Sequence, residues 1–252
     1  MLSDFILIQH DFGSVENINI YPIGDVHIGS KEFDRERFEE LIETIQNDPK
    51  GYVVIIGDMM NMGLRNSKSN VYEEALNPME QKELCYELLK PISDKILAGC
   101  SGNHEYRQNK EVGTNPLYDV FCRLQIEDRY RENACFLKLN VGKFGRNPIT
   151  YGVVLTHGSS KSKDEKWTYS VDGCDCFISG HTHLGTHQPL SKIRMDLTHN
   201  KVKTVPYQHI VVTPFQSYGG YAIRGKYMPS HVGQFQRVTF DGTSKRVGYT
   251  FN

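Results

Sequence analysis

Five short fragments, in a fixed order, constrain this chain more than anything else in its sequence. They are Gly24-Asp25-Val26-His27, Gly57-Asp58, Gly102-Asn103-His104-Glu105, Thr156-His157-Gly158 and Gly180-His181-Thr182-His183. Each closes an apolar, strand-like run and sets hard oxygen or imidazole nitrogen donors at its end. A lone Gly-Asp is commonly a turn, a lone Gly-Asn-His a loop and a lone His-x-His a coincidence. The ordered set of five, each behind an apolar run, is not explained that way.

The donors are Asp25, His27, Asp58, Asn103, His157, His181 and His183, which suffice for two metal ions sharing one carboxylate. Asp58, at the tip of Val53-Val54-Ile55-Ile56-Gly57, has two oxygens and can bridge. His104 is left over for chemistry. In an extended segment, residues two apart point the same way, which predicts that Asp25 and His27 face one ion, and that His181 and His183 do likewise. Ligands at the carboxyl ends of strands sit where open α/β sheets place their sites. Two metals about 3.5–4 Å apart make a clamp for displacement at phosphorus.

The coarse pattern is strand over 18–23, helix through Phe38, Leu41, Ile42 and Ile45, strand over 52–56, helix over 79–89 ended or kinked at Pro91, strand over 95–98 and helix over 116–126. Strands then dominate: 134–141, 149–156, 174–179, 202–213, 235–240 and 246–251. The polar Ser159–Lys166 stretch predicts a loop, either overhanging the site or simply solvated. Helices covering two packed sheets satisfy both halves. At 252 residues one domain is expected over 1–252, with a motif-bearing region 18–190 and a β-rich part 191–252.

With 29 basic and 30 acidic residues the chain lacks the basic excess of a dedicated nucleic-acid binder, although bound dications would add local positive charge. Its six cysteines are scattered in apolar runs and read as reduced core residues. Cys174-Asp175-Cys176 is too tightly spaced for an ordinary zinc pair. Nothing resembles a signal peptide or an 18-residue apolar span, so a cytoplasmic protein with no membrane partner is expected.

The ordered signature resembles that of the calcineurin-like metallophosphoesterase superfamily, from Asp25 to His183. The resemblance implies a four-layer α/β/β/α sandwich, two packed mixed sheets flanked by helices. It implies one metal held by Asp25, His27, Asp58 and His183, and another held by Asp58, Asn103, His157 and His181. The ions are divalent transition metals, with manganese expected first and iron, zinc or nickel as alternatives. It further implies hydrolysis of phosphodiester or phosphomonoester bonds by a bridging hydroxide attacking in line. His104 would stand beside the metals as the catalytic histidine, donating a proton to the leaving oxygen or stabilising charge. Asn61 and Glu105 are candidates for a supporting role behind the ligands. An ordinary local turn hydrogen bond accounts for either equally well.

The protein Ser/Thr phosphatase branch carries an Arg before its Gly-Asn-His-Glu and an Asp-Arg-Gly after its second Gly-Asp. Here Ser101 precedes Gly102, and Met59-Met60-Asn61-Met62-Gly63 follows Asp58. That predicts another substrate: a nucleotide or nucleic acid, or alternatively a small phosphomonoester. A non-catalytic scaffold on the same fold is the remaining alternative, opposed by the complete donor set. Arg107, Lys161 and Lys163 are partial substitutes for the missing arginines or solvated surface. Phe215–Tyr221, with Arg224 and Lys226, either stacks a base or covers a sheet edge. His10, His187, His199, His209 and His231 have no motif context.

Overall fold

The computed structural model describes residues 3–64, 72, 74–224, 226, 228, 229 and 235–251; His231 and the side chains of Lys161, Tyr221 and Arg224 lie outside the described residues. In chain order the first half holds β1 (Ile8–Asp11), β2 (Asn17–Ile23), α1 (Arg35–Asn47), β3 (Gly51–Ile55), α2 (Pro78–Leu89), β4 (Ile96–Cys100), α3 (Asn103–Val112), α4 (Pro116–Arg123) and β5 (Tyr130–Arg131). The second holds β6 (Ala134–Phe144), β7 (Asn147–Thr156), α5 (Lys161–Ser170), β8 (Cys176–Ser179), β9 (His187–Asp196), β10 (Lys201–Val211), α6 (Gly220–Arg224), β11 (Gln236–Asp241) and β12 (Val247–Phe251).

The strands form two six-stranded sheets, ordered β12-β11-β2-β3-β4-β5 and β1-β6-β7-β8-β10-β9. Both are mixed. In the first, β2, β3, β4 and β5 run parallel, with β11 antiparallel beside β2. In the second, β7, β8 and β10 are parallel, β6 is antiparallel to β7 and parallel to β1, and β9 is antiparallel to β10.

Alternation along each strand sorts side chains into layers. Val53 and Ile55 of β3, with Tyr21 and Ile23 of β2, pack against Phe38, Leu41 and Ile45 of α1 and Cys85 and Leu89 of α2. Val54 and Ile56, with Ile18 and Ile20, face the second sheet and meet Leu137, Leu139, Tyr151, Val153, Cys176 and Ile178. On the far side of the second sheet, Val154 and Phe177 lie under Trp167 of α5. The result is helix, sheet, sheet, helix. α2 starts where it does because Asn77 and Glu80 form a reciprocal capping box with Pro78 at the first turn.

Several boundaries differ from the sequence expectation. α2 is not one of them: it stops at Leu89 as expected, and Pro91 falls in a 3-10 turn, Lys90–Lys95. The expected third helix ends at Arg123 and not at 126. The polar stretch read as a loop is largely the start of α5. The strand expected from 174 begins at Cys176. β1 and β9 were not anticipated, and a division at 190/191 cuts through β9. All six cysteines are free and five are buried, but Cys122 is exposed. No helix among the described residues is long and apolar enough to cross a membrane.

Candidate metal centre

The loops that leave β2, β3, β4, β7 and β8 meet at one end of the sandwich. Backbone hydrogen bonds lock them together. Val26 and His27 N–H both donate to the Asp58 carbonyl (2.9 and 3.0 Å), Asp25 N–H donates to the Gly57 carbonyl (3.1 Å), and Gly180 N–H donates to the His157 carbonyl (2.9 Å).

These loops are not extended. Asp25 (φ 50°), His27 (54°), Asp58 (49°), His181 (69°) and His183 (57°) all adopt left-handed backbone conformations. Asp and His are among the residues that tolerate this region. The alternation argument for His181 and His183 therefore fails. His181 Nδ1 lies 2.7 Å from Asn103 Oδ1, whereas His183 Nε2 lies 3.3 Å from His27 Nε2 and 3.3 Å from Asp25 Oδ1. The pair turns to opposite sides of the centre.

Asp58 lies between the two sides. Its Oδ2 is 3.2 Å from His157 Nε2, 3.7 Å from His104 Nε2 and 4.0 Å from His27 Nε2. His157 Nε2 is also 3.0 Å from Asn103 Oδ1. Asp25, His27, Asp58 and His157 are buried, while Asn103 and His181 are exposed. The centre thus has a buried floor and an open rim. Every predicted donor is in the cluster. Three sets have donor atoms within 4.8 Å of one another: Asp25–His27–His183, His27–Asp58–His104 and Asp58–His157–His181. Proximity alone therefore does not separate His104 from the ligands.

Hydrogen bonding fixes how the rings are aimed. His157 Nδ1 meets the Ile56 carbonyl at 2.9 Å, His104 Nδ1 meets the Asn61 carbonyl at 2.6 Å, and His27 Nδ1 meets Asn61 Oδ1 at 3.2 Å. A carbonyl oxygen only accepts, so each Nδ1 carries the proton and each neutral ring turns an Nε2 lone pair toward the carboxylates. Asp25 Oδ1 is buried and makes no well-aligned hydrogen bond. Inward lone pairs facing inward carboxylate oxygens need a cation between them. A backbone or amide carbonyl behind a histidine is the usual support for a metal-binding imidazole. The donor set fits a metal.

Without a metal, a proton must do part of that work. Burial opposes charge on His157, yet Asp58 and Asp25 push its pKa up to about 10. Burial, helped by His104, lowers His27 to about 3. Asp58 is held well below the usual carboxylate range: burial works against its charge, and His104 and His157 overcome it.

Glu105 is buried, and its two oxygens accept four backbone N–H bonds, from Asp58 (2.9 Å), Met59 (2.8 Å), Met60 (3.2 Å) and Gly102 (2.9 Å). It clamps the loop after β3 to the start of α3. Burial and the Asp58 charge push its pKa up to about 7 against those donors. Asn61 does more than a turn hydrogen bond: its side chain orients His27 and its carbonyl orients His104. Behind it, Glu74 accepts from Asn61 Nδ2 (2.7 Å) and Gly63 N–H (2.9 Å). Sequence reasoning missed Glu74, which follows no motif. Arg107, one turn into α3, reaches the same Asn61 carbonyl at 3.4 Å. Phe215 is buried on Phe38 with Arg37 over its ring at 4.5 Å, so it covers α1 and offers no stacking surface.

A family model described as calcineurin-like phosphoesterase matches residues 18–203, and the chain belongs to that family. Among curated proteins it is similar to the DNA polymerase II small subunit of Thermoplasma acidophilum, 28% identical over 154 residues, or 58% of this chain. It spans only 29% of that subunit's length. Among solved structures it is similar to zinc-complexed Vps29 of Entamoeba histolytica (11% identity, 93% of this chain and 99% of that one, TM-score 0.44). It is also similar to GAP50 of Plasmodium (10%, 93% and 84%, TM-score 0.48) and a metallophosphoesterase of Sphaerobacter thermophilus (14%, 93% and 88%, TM-score 0.42).

Proposed function

We propose that this protein is a dinuclear metal-dependent phosphoesterase that cleaves phosphodiester bonds of nucleotides or nucleic acid. One ion would be held by Asp25, His27, Asp58 and His183, the other by Asp58, Asn103, His157 and His181. Manganese is the first candidate; iron, zinc and nickel suit the same mixed imidazole and oxygen donors. When bound, the ions would supply Lewis acidity toward the phosphoryl oxygens and a water of lowered pKa. The observation that carries this reading is the aim of His27, His104 and His157, with Nδ1 tied to carbonyls and Nε2 facing Asp58.

The chain's own groups divide the work. Asp58 is placed between the two sides and would be the carboxylate shared by both ions. His104 lies on the rim side with Nδ1–H anchored on the Asn61 carbonyl, so Nε2 is the atom that, once protonated, would donate to a leaving oxygen. Glu105 and Asn61 hold these two residues in place. The nucleotide preference draws on the absent phosphatase arginines and on the relative named a DNA polymerase small subunit.

The test has two arms. Reconstituted protein is analysed for metal content, and a panel of chromogenic mono- and diesters, cyclic phosphates and single-stranded nucleic acid is assayed with manganese. Close to two ions per chain and faster turnover of diesters are expected. Fewer than one ion per chain, or turnover of monoesters alone, would overturn the proposal.

A further inference from the structure

We propose that the groove between α5 and the chain at the start of β6 and the end of β7 is a nucleoside subsite, with the base stacked on Trp167 and a neighbouring phosphate met by Lys163. The inference rests on the phosphoesterase reading and names where its substrate's non-reacting part sits.

The groove is a cavity of about 370 Å³ lined by Asn133, Thr156, Gly158, Ser159, Lys163 and Trp167, among others. That lies in the lower part of the ~300–1,000 Å³ range of small-molecule sites. It adjoins the metal centre covalently, since Gly158 and Ser159 directly follow His157. The junction is fixed. Gly158 takes φ +87°, and an added Cβ there would lie 2.8 Å from Asp164 Oδ2. The Ser159 N–H donates to Asp164 Oδ1 at 3.1 Å. Asp164 is thereby occupied by the loop's own donor. A ligand with its phosphate on the metals and its sugar passing Gly158 would lead into this groove.

Trp167 is the only tryptophan of the chain. Its indole is partly exposed, and its neighbours Phe136 and Phe177 touch it edge-on, at interplanar angles of 64° and 76° and centroid distances of 6.3 and 5.5 Å. No ring among the described residues lies parallel against it, so the stacking geometry is unused. A flat ring stacks well on an indole face, and every base has one. Lys163, one turn earlier on α5, is exposed and forms no ion pair among the described residues. A partly exposed aromatic and an uncommitted cation, beside a centre built for phosphate esters, match a nucleotide better than a small alkyl or sugar phosphate.

Because Trp167 is the sole indole, its fluorescence reports occupancy directly. Manganese-loaded protein is titrated with adenosine 5′-monophosphate, ribose 5-phosphate and inorganic phosphate, with binding measured in parallel by calorimetry. The nucleotide should quench the emission saturably, and the two base-free ligands should bind without quenching. Trp167→Leu should weaken the nucleotide about tenfold or more, as loss of one base stack does, with inorganic phosphate as the reference. Trp167→Phe, which keeps a ring, should recover part of the loss. Lys163→Ala should weaken adenosine 3′,5′-bisphosphate, which carries the neighbouring phosphate, severalfold with quenching retained at saturation.

Binding of the nucleotide by calorimetry with no change in emission would overturn the subsite and leave the phosphoesterase reading standing. Equal quenching by ribose 5-phosphate, or no nucleotide binding at all, would also overturn it. Failure of the phosphoesterase reading shows elsewhere, as absent metal-dependent turnover of a chromogenic diester.

Discussion

Gly57→Ala is the substitution that tests most directly how this centre is held. Gly57 takes φ +81°, and a Cβ there would sit 2.2 Å from the Gly102 nitrogen and 2.5 Å from the Ser101 carbonyl carbon. Both are backbone atoms, so no side chain can rotate away. The left-handed conformation alone disfavours alanine by ~1–2 kcal/mol, and forcing apart a packed backbone adds ~1–3 kcal/mol. The sum, ~2–5 kcal/mol, corresponds to a fall in Tm of roughly 5–15 °C for a chain of this length. Gly113 is the control: it takes φ +70° with nothing within 4 Å of its built Cβ. Gly113→Ala should therefore show the conformational part only, a few degrees. The clash separates Asp58 from Asn103, the residues that follow Gly57 and Gly102, so Gly57→Ala should also lose metal and Gly113→Ala should keep it. Thermal melts of the metal-free proteins and elemental analysis of the reconstituted ones make the comparison. Equal shifts in Tm with both variants fully metallated would refute the idea that close backbone approach sets the ligand geometry.

Asp58→Asn should lower occupancy at both metal positions and reduce turnover with it, because it weakens the shared ligand; full occupancy of two ions by elemental analysis would remove Asp58 as the bridge. His104→Ala should reduce kcat by ~10²-fold or more while metal content is unchanged, and the deficit should shrink for an ester with a nitrophenolate leaving group. An equal deficit on good and poor leaving groups would leave His104 with charge stabilisation only, and loss of metal would make it a ligand. Asp241 has its pKa lowered from 3.8 to about 2 by hydrogen bonds from Thr243 and Ser244. Its folded value lies below its unfolded one, so its contribution is present above about pH 4 and is lost as pH falls toward about 2. Urea melts of wild type and Asp241→Asn should differ at pH 5 and converge below pH 2, and a gap that persists at low pH would contradict the assignment.

The first half of the fold was legible because its elements bury on every side. β3 sends Val53 and Ile55 to the helices and Val54 and Ile56 to the second sheet, which leaves a continuous apolar run in the sequence. α1 announces itself by Phe38, Leu41, Ile42 and Ile45, all of them buried. β9 gave no such signal. It is an edge strand that stays largely in solvent, with Ile193 78% and Met195 70% exposed among lysine, arginine and glutamine. No buried face imposes alternation on it. α5 was hidden for a related reason: among its described residues only Asp164 and Thr168 are buried, and both are polar, so the Ser159–Lys166 stretch looks like a loop.

At the centre, the convergence of these residues was legible and the way each one faces was not. Metal binding requires particular atoms, so Asp, Asn and His at strand ends mark themselves. Which of them share a side depends on backbone handedness, and five of these residues have positive φ. Each such conformation is disfavoured by ~1–3 kcal/mol, so something outside the local sequence must hold it. The Asp58 carbonyl takes both Val26 and His27 N–H, Asp58 Oδ1 takes His104 N–H (2.8 Å), and Asp25 Oδ2 takes His181 N–H (2.9 Å). Each of these two carboxylates thus spends one oxygen on the backbone of another motif and turns its second oxygen inward. Asp25 and Asp58 therefore combine an inward-facing oxygen with a strut, and the struts tie together loops 156 and 46 residues apart in sequence. That double role explains why no spacing rule within one fragment could assign the ligands. It also means that replacing either aspartate disturbs the partner loop's geometry together with its own oxygen, so the two effects must be separated by measuring metal content and stability on the same variant.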